Sequence, residues 1–138
     1  MAMLPFIGYN AGEYLHHWLD MRREIENVPR MFHVNWFRKS KGKFLWPGFG
    51  DNIRVIKWIF ERCDEEQTES AIAKDSAIGY MPTDGALDLS NLEMDGDAME
   101  QLLAVDKSEW SREVTRARDN LEGLGDRLPE GLKVELDT

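Results

Sequence analysis

Phe32 to Asn52 reads FHVNWFRKSKGKFLWPGFGDN, aromatic side chains crowded among turn glycines and ending in an asparagine where a new helical pattern starts. From Met31 to Phe37 the residues alternate, sending Phe32, Val34 and Trp36 to one side and His33, Asn35 and Phe37 to the other, which predicts a strand. Lys39 to Gly42 is a tight polar turn, Lys43 to Leu45 returns as a second strand, and Pro47-Gly48 with Gly50 makes a further bend. The aromatics are therefore expected on a hairpin. Flat apolar faces on rigid turns, beside an amide that opens a helix, suit stacking on a purine and reading its edge.

Helical patterns flank this hairpin. Upstream, Tyr14, Leu15, Trp18 and Leu19 share one face, with Asn10 placed to cap a helix from Tyr9 to Met21. Downstream, Asp51 or Asn52 caps a helix whose apolar positions Ile53, Ile56, Phe60 and Cys63 are widened by Val55 and Ile59, so that stripe is expected to be buried. The acidic run Asp64 to Glu69 reads as a solvated exit loop. Ala77 to Met81 forms a short strand stopped by Pro82, Asp97 caps a short helix with Leu102 and Leu103, and Ser108 caps a longer one. In that last helix Trp110, Val114, Ala117, Leu121 and Leu124 make a core stripe, a coiled-coil seam being the alternative that too few heptads disfavour. Strands mix with helices without regular βαβ alternation. The expected fold class is α+β, a small mixed sheet or hairpin with several helices.

With 138 residues, 42% hydrophobic and 31% charged, the chain holds one domain or fragment, 1–138, with a modest core. Cys63 is its one cysteine, which excludes an internal disulfide and a cysteine zinc site. The apolar start, Met1 to Gly8, lacks a cationic lead and is too short for a signal or a membrane span, so a cytoplasmic, membrane-free protein is expected. The net charge of −9 opposes wholesale DNA or RNA binding. Its distribution is uneven: from Arg30 to Lys57 seven cations face Asp51 alone, a local +6 against −15 elsewhere. A basic island around aromatics suits one small polyanion, although hairpin lysines also serve simply to block edge pairing.

A carboxamide offers one acceptor and a paired donor in one plane, so Asn52 matches the edge of guanine, whose carbonyl lies beside N–H donors. Unpaired N–H groups at a helix N-terminus would add to that preference. Phe37 and Phe49 would supply stacking faces worth roughly 1–3 kcal/mol each. Small domains also need aromatics for their cores. Two classes of function stay open at this point, a nucleotide-base site and a free-standing protein-interaction module that grips its partner with an aromatic hairpin.

The strings PFIGYNAGEYLHHWL, PRMFHVNWFRKSKGKFLWPGFGDN and IRVIKWIFERC, with the later IGYMPTDGALDLSNL, resemble the C-terminal part of GTP-dependent phosphoenolpyruvate carboxykinase. The resemblance runs from Pro5 through Trp110, strongest from Pro5 to Trp58, and is loose after Leu121. It implies the C-terminal portion of a nucleotide-binding domain and a gluconeogenic enzyme that turns oxaloacetate and GTP into phosphoenolpyruvate, GDP and carbon dioxide, with Mn2+ or Mg2+. It places guanine between Phe37 and Phe49, closed by Trp36 and Phe44, with Gly50 and Asp51 leading to Asn52 as the guanine-contacting residue. The turn from Arg38 to Lys43 is a residue shorter than in many members, which loosens the placement of Phe44.

The only Gly-Lys step, Gly42-Lys43, is followed by Phe44 and lacks the spaced glycine and Ser/Thr of a phosphate-cradling loop. By the same resemblance that loop, its reactive cysteine, the metal ligands and the oxaloacetate arginines lie upstream. The chain therefore reads as a fragment, partnered by guanine nucleotide and the upstream remainder of the enzyme, without catalytic or metal-binding residues of its own. Self-association through a surface bared by truncation is expected. Glu13, His16 and His17 are too divergent on one helix for a metal site, since adjacent residues point about 100° apart. His33 braces the pocket or sits in the core.

Overall fold

The computed structural model describes residues 4–64 and 69–137. They gather into two compact units, one from residues 4–29 and 106–137, the other from residues 30–64 and 69–105. The architecture is mixed: helices with two small antiparallel sheets, compatible with α+β. Most of the exit loop expected between Asp64 and Glu69 lies outside the described residues.

In the first unit, α1 (Ala11–Glu24) starts where Asn10, in extended conformation, accepts the Gly12 amide on its side chain at 2.8 Å. Arg22 and Arg23 sit in its last turn, where the helix dipole favours cations. The long helix α5 (Lys107–Glu122) is capped by Asp106 rather than Ser108. Asp106 Oδ1 accepts the Glu109 amide at 2.8 Å and the Ser108 hydroxyl at 2.6 Å, because a carboxylate two residues earlier outcompetes the hydroxyl as acceptor. These bonds, the Ser108 hydroxyl first, hold the Asp106 carboxyl below its ordinary range. The predicted core stripe of α5 is not covered: the helix has no buried residue, and Trp110 and Val114 are exposed. A short α6 (Glu130–Asp137) returns, and Arg118 of α5 donates to the Leu136 carbonyl and to Asp137. Among its described residues this unit buries Ala11, Gly12, Leu128 and Pro129.

The second unit holds the hairpin. Strands β1 (Lys39–Ser40) and β2 (Lys43–Phe44) pair with Ser40 opposite Lys43, which leaves Lys41-Gly42 as a two-residue loop. Lys41 has φ +50° and Gly42 φ +81°, the doubly left-handed turn whose twist matches an antiparallel pair. The strand expected over Met31–Phe37 does not form. Asn35 Oδ1 instead accepts the Phe37 amide at 3.0 Å, a local turn that competes with strand pairing.

Helix α2 (Asn52–Cys63) follows. Its buried residues are Trp58 and Arg62, while Ile53, Ile56, Phe60 and Cys63 are exposed. The covered face is thus that of Val55, Trp58, Ile59 and Arg62, so of the expected stripe only its widening members Val55 and Ile59 lie toward the core, which forms around Trp58, the largest apolar surface on the helix. Trp58 meets Phe32 edge to face at 5.9 Å and packs with Ala73 and Leu87, flanked by Ile59, Ile72, Ala86 and Met99. Its indole N–H donates to the Ile72 carbonyl at 2.8 Å. After α3 (Glu69–Ile72), strands β3 (Ala73–Lys74) and β4 (Met81–Pro82) pair, so the expected Ala77–Met81 strand begins later and takes in the proline on an edge. Helix α4 (Ala98–Leu103) follows Asp97, whose carboxylate accepts from Gln101 rather than from a helix amide.

Gly12 is the tightest point of the first unit: a Cβ there would lie 2.2 Å from the Arg127 carbonyl oxygen. Alanine ordinarily gains about 1 kcal/mol over glycine in a helix. Here the contact is with backbone and the clash decides the sign, so Gly12→Ala is expected to destabilise by about 1–3 kcal/mol in denaturant unfolding followed by circular dichroism.

Candidate functional site

The aromatic residues singled out in the sequence stand on the surface of the second unit. Phe37 is 73% exposed, Phe49 91% and Phe44 55%, far above what a core phenylalanine shows. Phe37 and Phe44 approach edge to face, their ring centres 6.2 Å apart. Lys39 Nζ lies 4.4 Å from the centre of the Phe44 ring, a cation–π contact that occupies one face of it. Each exposed ring owes its position to a local device. Phe37 follows the Asn35 turn, Phe44 closes the short ladder, and Phe49 opens a 3-10 turn, Phe49–Asp51, directly after Gly48.

Gly48 adopts φ 151° and ψ −170°, a region open to glycine and almost nothing else, and its carbonyl accepts the Asp51 amide at 3.2 Å. That pair of constraints throws Phe49 outward and turns the chain into α2. Asp51 takes the cap position of α2 without a side-chain cap bond, since its carboxylate is held by Arg54 Nε at 3.1 Å. Asn52 is already helical, and its own N–H donates to the Phe49 carbonyl, so the free amide expected at that residue is used. Its side chain is half-buried.

The residue that sequence reasoning passed over is Trp46. It is 6% exposed, tilts against Trp36 with ring centres 6.1 Å apart, and its indole N–H donates to Asn52 Oδ1 at 2.9 Å. A signal was present: a buried indole must find an acceptor, and the Pro47-Gly48 bend folds the chain back toward Asn52.

The basic island divides by residue type. Arg30 donates to the Arg62 carbonyl, Arg38 reaches the Leu102 carbonyl at 3.3 Å, and Arg54 joins Asp51 to the Asp88 carbonyl. The arginines thus brace the unit, and the exposed hairpin keeps Lys39, Lys41 and Lys43. Asp88 accepts the Ser90 hydroxyl and amide, and these, with Arg54 and Lys57 nearby, hold its carboxyl below the ordinary range.

Other candidates are occupied elsewhere. Glu13 pairs with Arg127, His16 lies 3.2 Å from Asp20, and His33 is exposed. Among the described residues no three His, Cys, Asp or Glu side chains gather to hold a metal ion, and no helix is long and apolar enough to cross a membrane. A concavity of about 640 Å3 in this unit, beside Thr83, Leu87 and Met99, includes none of the predicted site residues. Open rings such as Phe37 and Phe49 present faces to stack on, which an enclosed cavity does not require.

Since a Cβ at Gly48 would meet nothing within 4 Å, Gly48→Ala tests backbone conformation alone. It is expected to destabilise by about 1–3 kcal/mol in thermal or denaturant unfolding. An unchanged midpoint would mean that the turn relaxes without strain.

The chain's likeness to known proteins is extensive. The family model described as phosphoenolpyruvate carboxykinase C-terminal P-loop domain matches residues 1–138. Over 136 residues, 98% of this chain, it is 48% identical to the phosphoenolpyruvate carboxykinase [GTP] of Anaeromyxobacter dehalogenans. The protein of that name from Neocallimastix frontalis is 47% identical over 99% of the chain, and the one from Chlamydia caviae 44% over 98%. In each case the chain spans 22% of the relative's length. Matched end to end by that family's model, this chain belongs to the GTP-dependent phosphoenolpyruvate carboxykinases.

Proposed function

We propose that residues 30–105 form the guanine-base site of a GTP-dependent phosphoenolpyruvate carboxykinase, the enzyme that converts oxaloacetate and GTP into phosphoenolpyruvate, GDP and carbon dioxide in cytoplasmic gluconeogenesis. The observation that carries this is the exposure of Phe37 and Phe49 on turns, Phe49 in the turn that leads into the half-buried Asn52, in a chain 48% identical to a protein named for GTP. Large apolar rings held out on loops are a feature that folding disfavours and binding uses.

In this reading Phe37 and Phe49 stack on the two faces of guanine, and Trp36 and Phe44 close the pocket. Asn52, reached through Gly50 and Asp51, reads the base edge. Rings supply affinity that any base would share, and the carboxamide supplies selectivity. The triphosphate and the Mn2+ or Mg2+ that neutralises its developing charge belong to residues outside this chain, so no phosphoryl-transfer or decarboxylation step is assigned here.

The test is nucleotide titration monitored by tryptophan fluorescence. GDP is expected to quench Trp36 and Trp46 more strongly than ADP, and Asn52→Ala to abolish the difference. Equal quenching by both nucleotides, or a preference that survives Asn52→Ala, would remove the base-reading role. In a carboxykinase assay, this polypeptide alone is expected to show no turnover.

A further inference from the structure

The Trp46–Asn52 hydrogen bond has a consequence that rests on the base-site reading above. A carboxamide is ambiguous: turned by 180° about its last bond, it exchanges donor and acceptor. The Watson–Crick edges of guanine and adenine differ by the same exchange, one offering the O6 acceptor beside N1–H, the other an amino donor beside the N1 acceptor. A freely turning asparagine would therefore accommodate either purine. Stacking on Phe37 or Phe49 would not correct this, because both bases have π faces.

We propose that Trp46 is a positioning residue that locks Asn52 in the orientation complementary to guanine, and that this lock, rather than the presence of the amide, sets the preference for guanine over adenine. An indole N–H is a donor and nothing else, so the atom of Asn52 lying 2.9 Å from Trp46 Nε1 must be the oxygen. Trp46 is 6% exposed, and turning the amide would set two donors against each other and leave a buried indole N–H without an acceptor. Asn52 Nδ2 makes no hydrogen bond to another described residue and is not among the buried, unpartnered polar atoms. It is left to donate to O6. The second lone pair of Oδ1 stays available for N1–H. Trp36 packs against the Trp46 ring, the two planes inclined by 46°.

The experiment is 1H–15N NMR on the 138-residue chain, titrated with GDP, inosine diphosphate and ADP, for the native sequence, Trp46→Phe and Asn52→Ala. NMR reads the weak affinities expected of a base site without a phosphate cradle. In the native chain, GDP and inosine diphosphate, which share O6 and N1–H, should bind alike and ahead of ADP. Trp46→Phe removes the N–H donor, together with part of the ring that packs against Trp36, and should narrow the GDP-to-ADP preference by about tenfold, with GDP losing and ADP gaining, the size expected for one buried hydrogen bond.

A preference retained by Trp46→Phe but lost by Asn52→Ala would overturn the lock while leaving the base site intact, and so would an equal loss for both nucleotides. No preference in the native chain would overturn the base site itself. The Trp58 indole signal, bonded to Ile72, reports whether Trp46→Phe keeps its fold. Should it not, the native chain still decides: on GDP binding the Trp46 indole proton must stay protected from exchange while the Asn52 Nδ2 signals move. An indole proton that becomes labile would sink the proposal.

Discussion

The burial of Trp58 is the constraint on which the second unit depends. Its ring meets Phe32, Ala73 and Leu87, and its N–H ends on the Ile72 carbonyl, so one side chain joins α2 to the chain before the hairpin and to the edge of β3. Burying a tryptophan takes a large apolar area out of water, and the hydrogen bond prevents the polar handle from cancelling that gain. With α2 fixed, its first residue is fixed. Asn52, the 3-10 turn before it and the outward Phe49 then follow without a large core beneath them, as the unit's fully covered hydrophobic cluster amounts to Trp58, Ala73 and Leu87.

How much of this could be read from the sequence depended on the range of the interaction concerned. Local chemistry was legible: Asn10 as a cap, a polar turn within Lys39 to Gly42, the bend at Pro47-Gly48 and the start of α2 are set by residues within a few positions of one another. The strand over Met31–Phe37 failed because alternation describes a surface and not a partner, and Asn35 supplied a competing local bond. The buried face of α2 failed for a different reason. That helix carries apolar residues on both sides, and which side is covered depends on neighbours from Phe32 to Met99, far away in sequence. Periodicity keeps no record of that choice. The same holds for α5, whose regular stripe of Trp110, Val114 and Leu121 is no core within its own unit.

The basic island shows why composition alone misleads. Seven cations between Arg30 and Lys57 suggested a field for a polyanion. Yet Arg30, Arg38 and Arg54 spend their donors on backbone carbonyls of the same unit. This is the use for which a planar guanidinium is suited, with several donors on one rigid fork. The lysines of the hairpin have no such geometry and remain in solvent, Lys39 lying over Phe44. The arginines keep their charge but are fixed in place, Arg54 is offset by Asp51 and Asp88, and the field of the hairpin lysines is screened over about 10 Å at ordinary salt.

That weak field changes what a base site of this kind does. Two stacking faces worth roughly 1–3 kcal/mol each must be set against an association cost of roughly 4–15 kcal/mol. Rings alone leave affinity near or above the millimolar level, about −4 kcal/mol. A base site built on Phe37, Phe49 and Asn52 thus acts as a filter on a nucleotide whose binding energy comes largely from its phosphates. A filter is judged by a difference between ligands and not by total affinity, so its decisive part is the group whose contact changes sign between guanine and adenine. Exposed rings do not change sign. A carboxamide does, provided that something prevents it from turning, and among the described residues the buried indole of Trp46 is the donor set against the Asn52 oxygen.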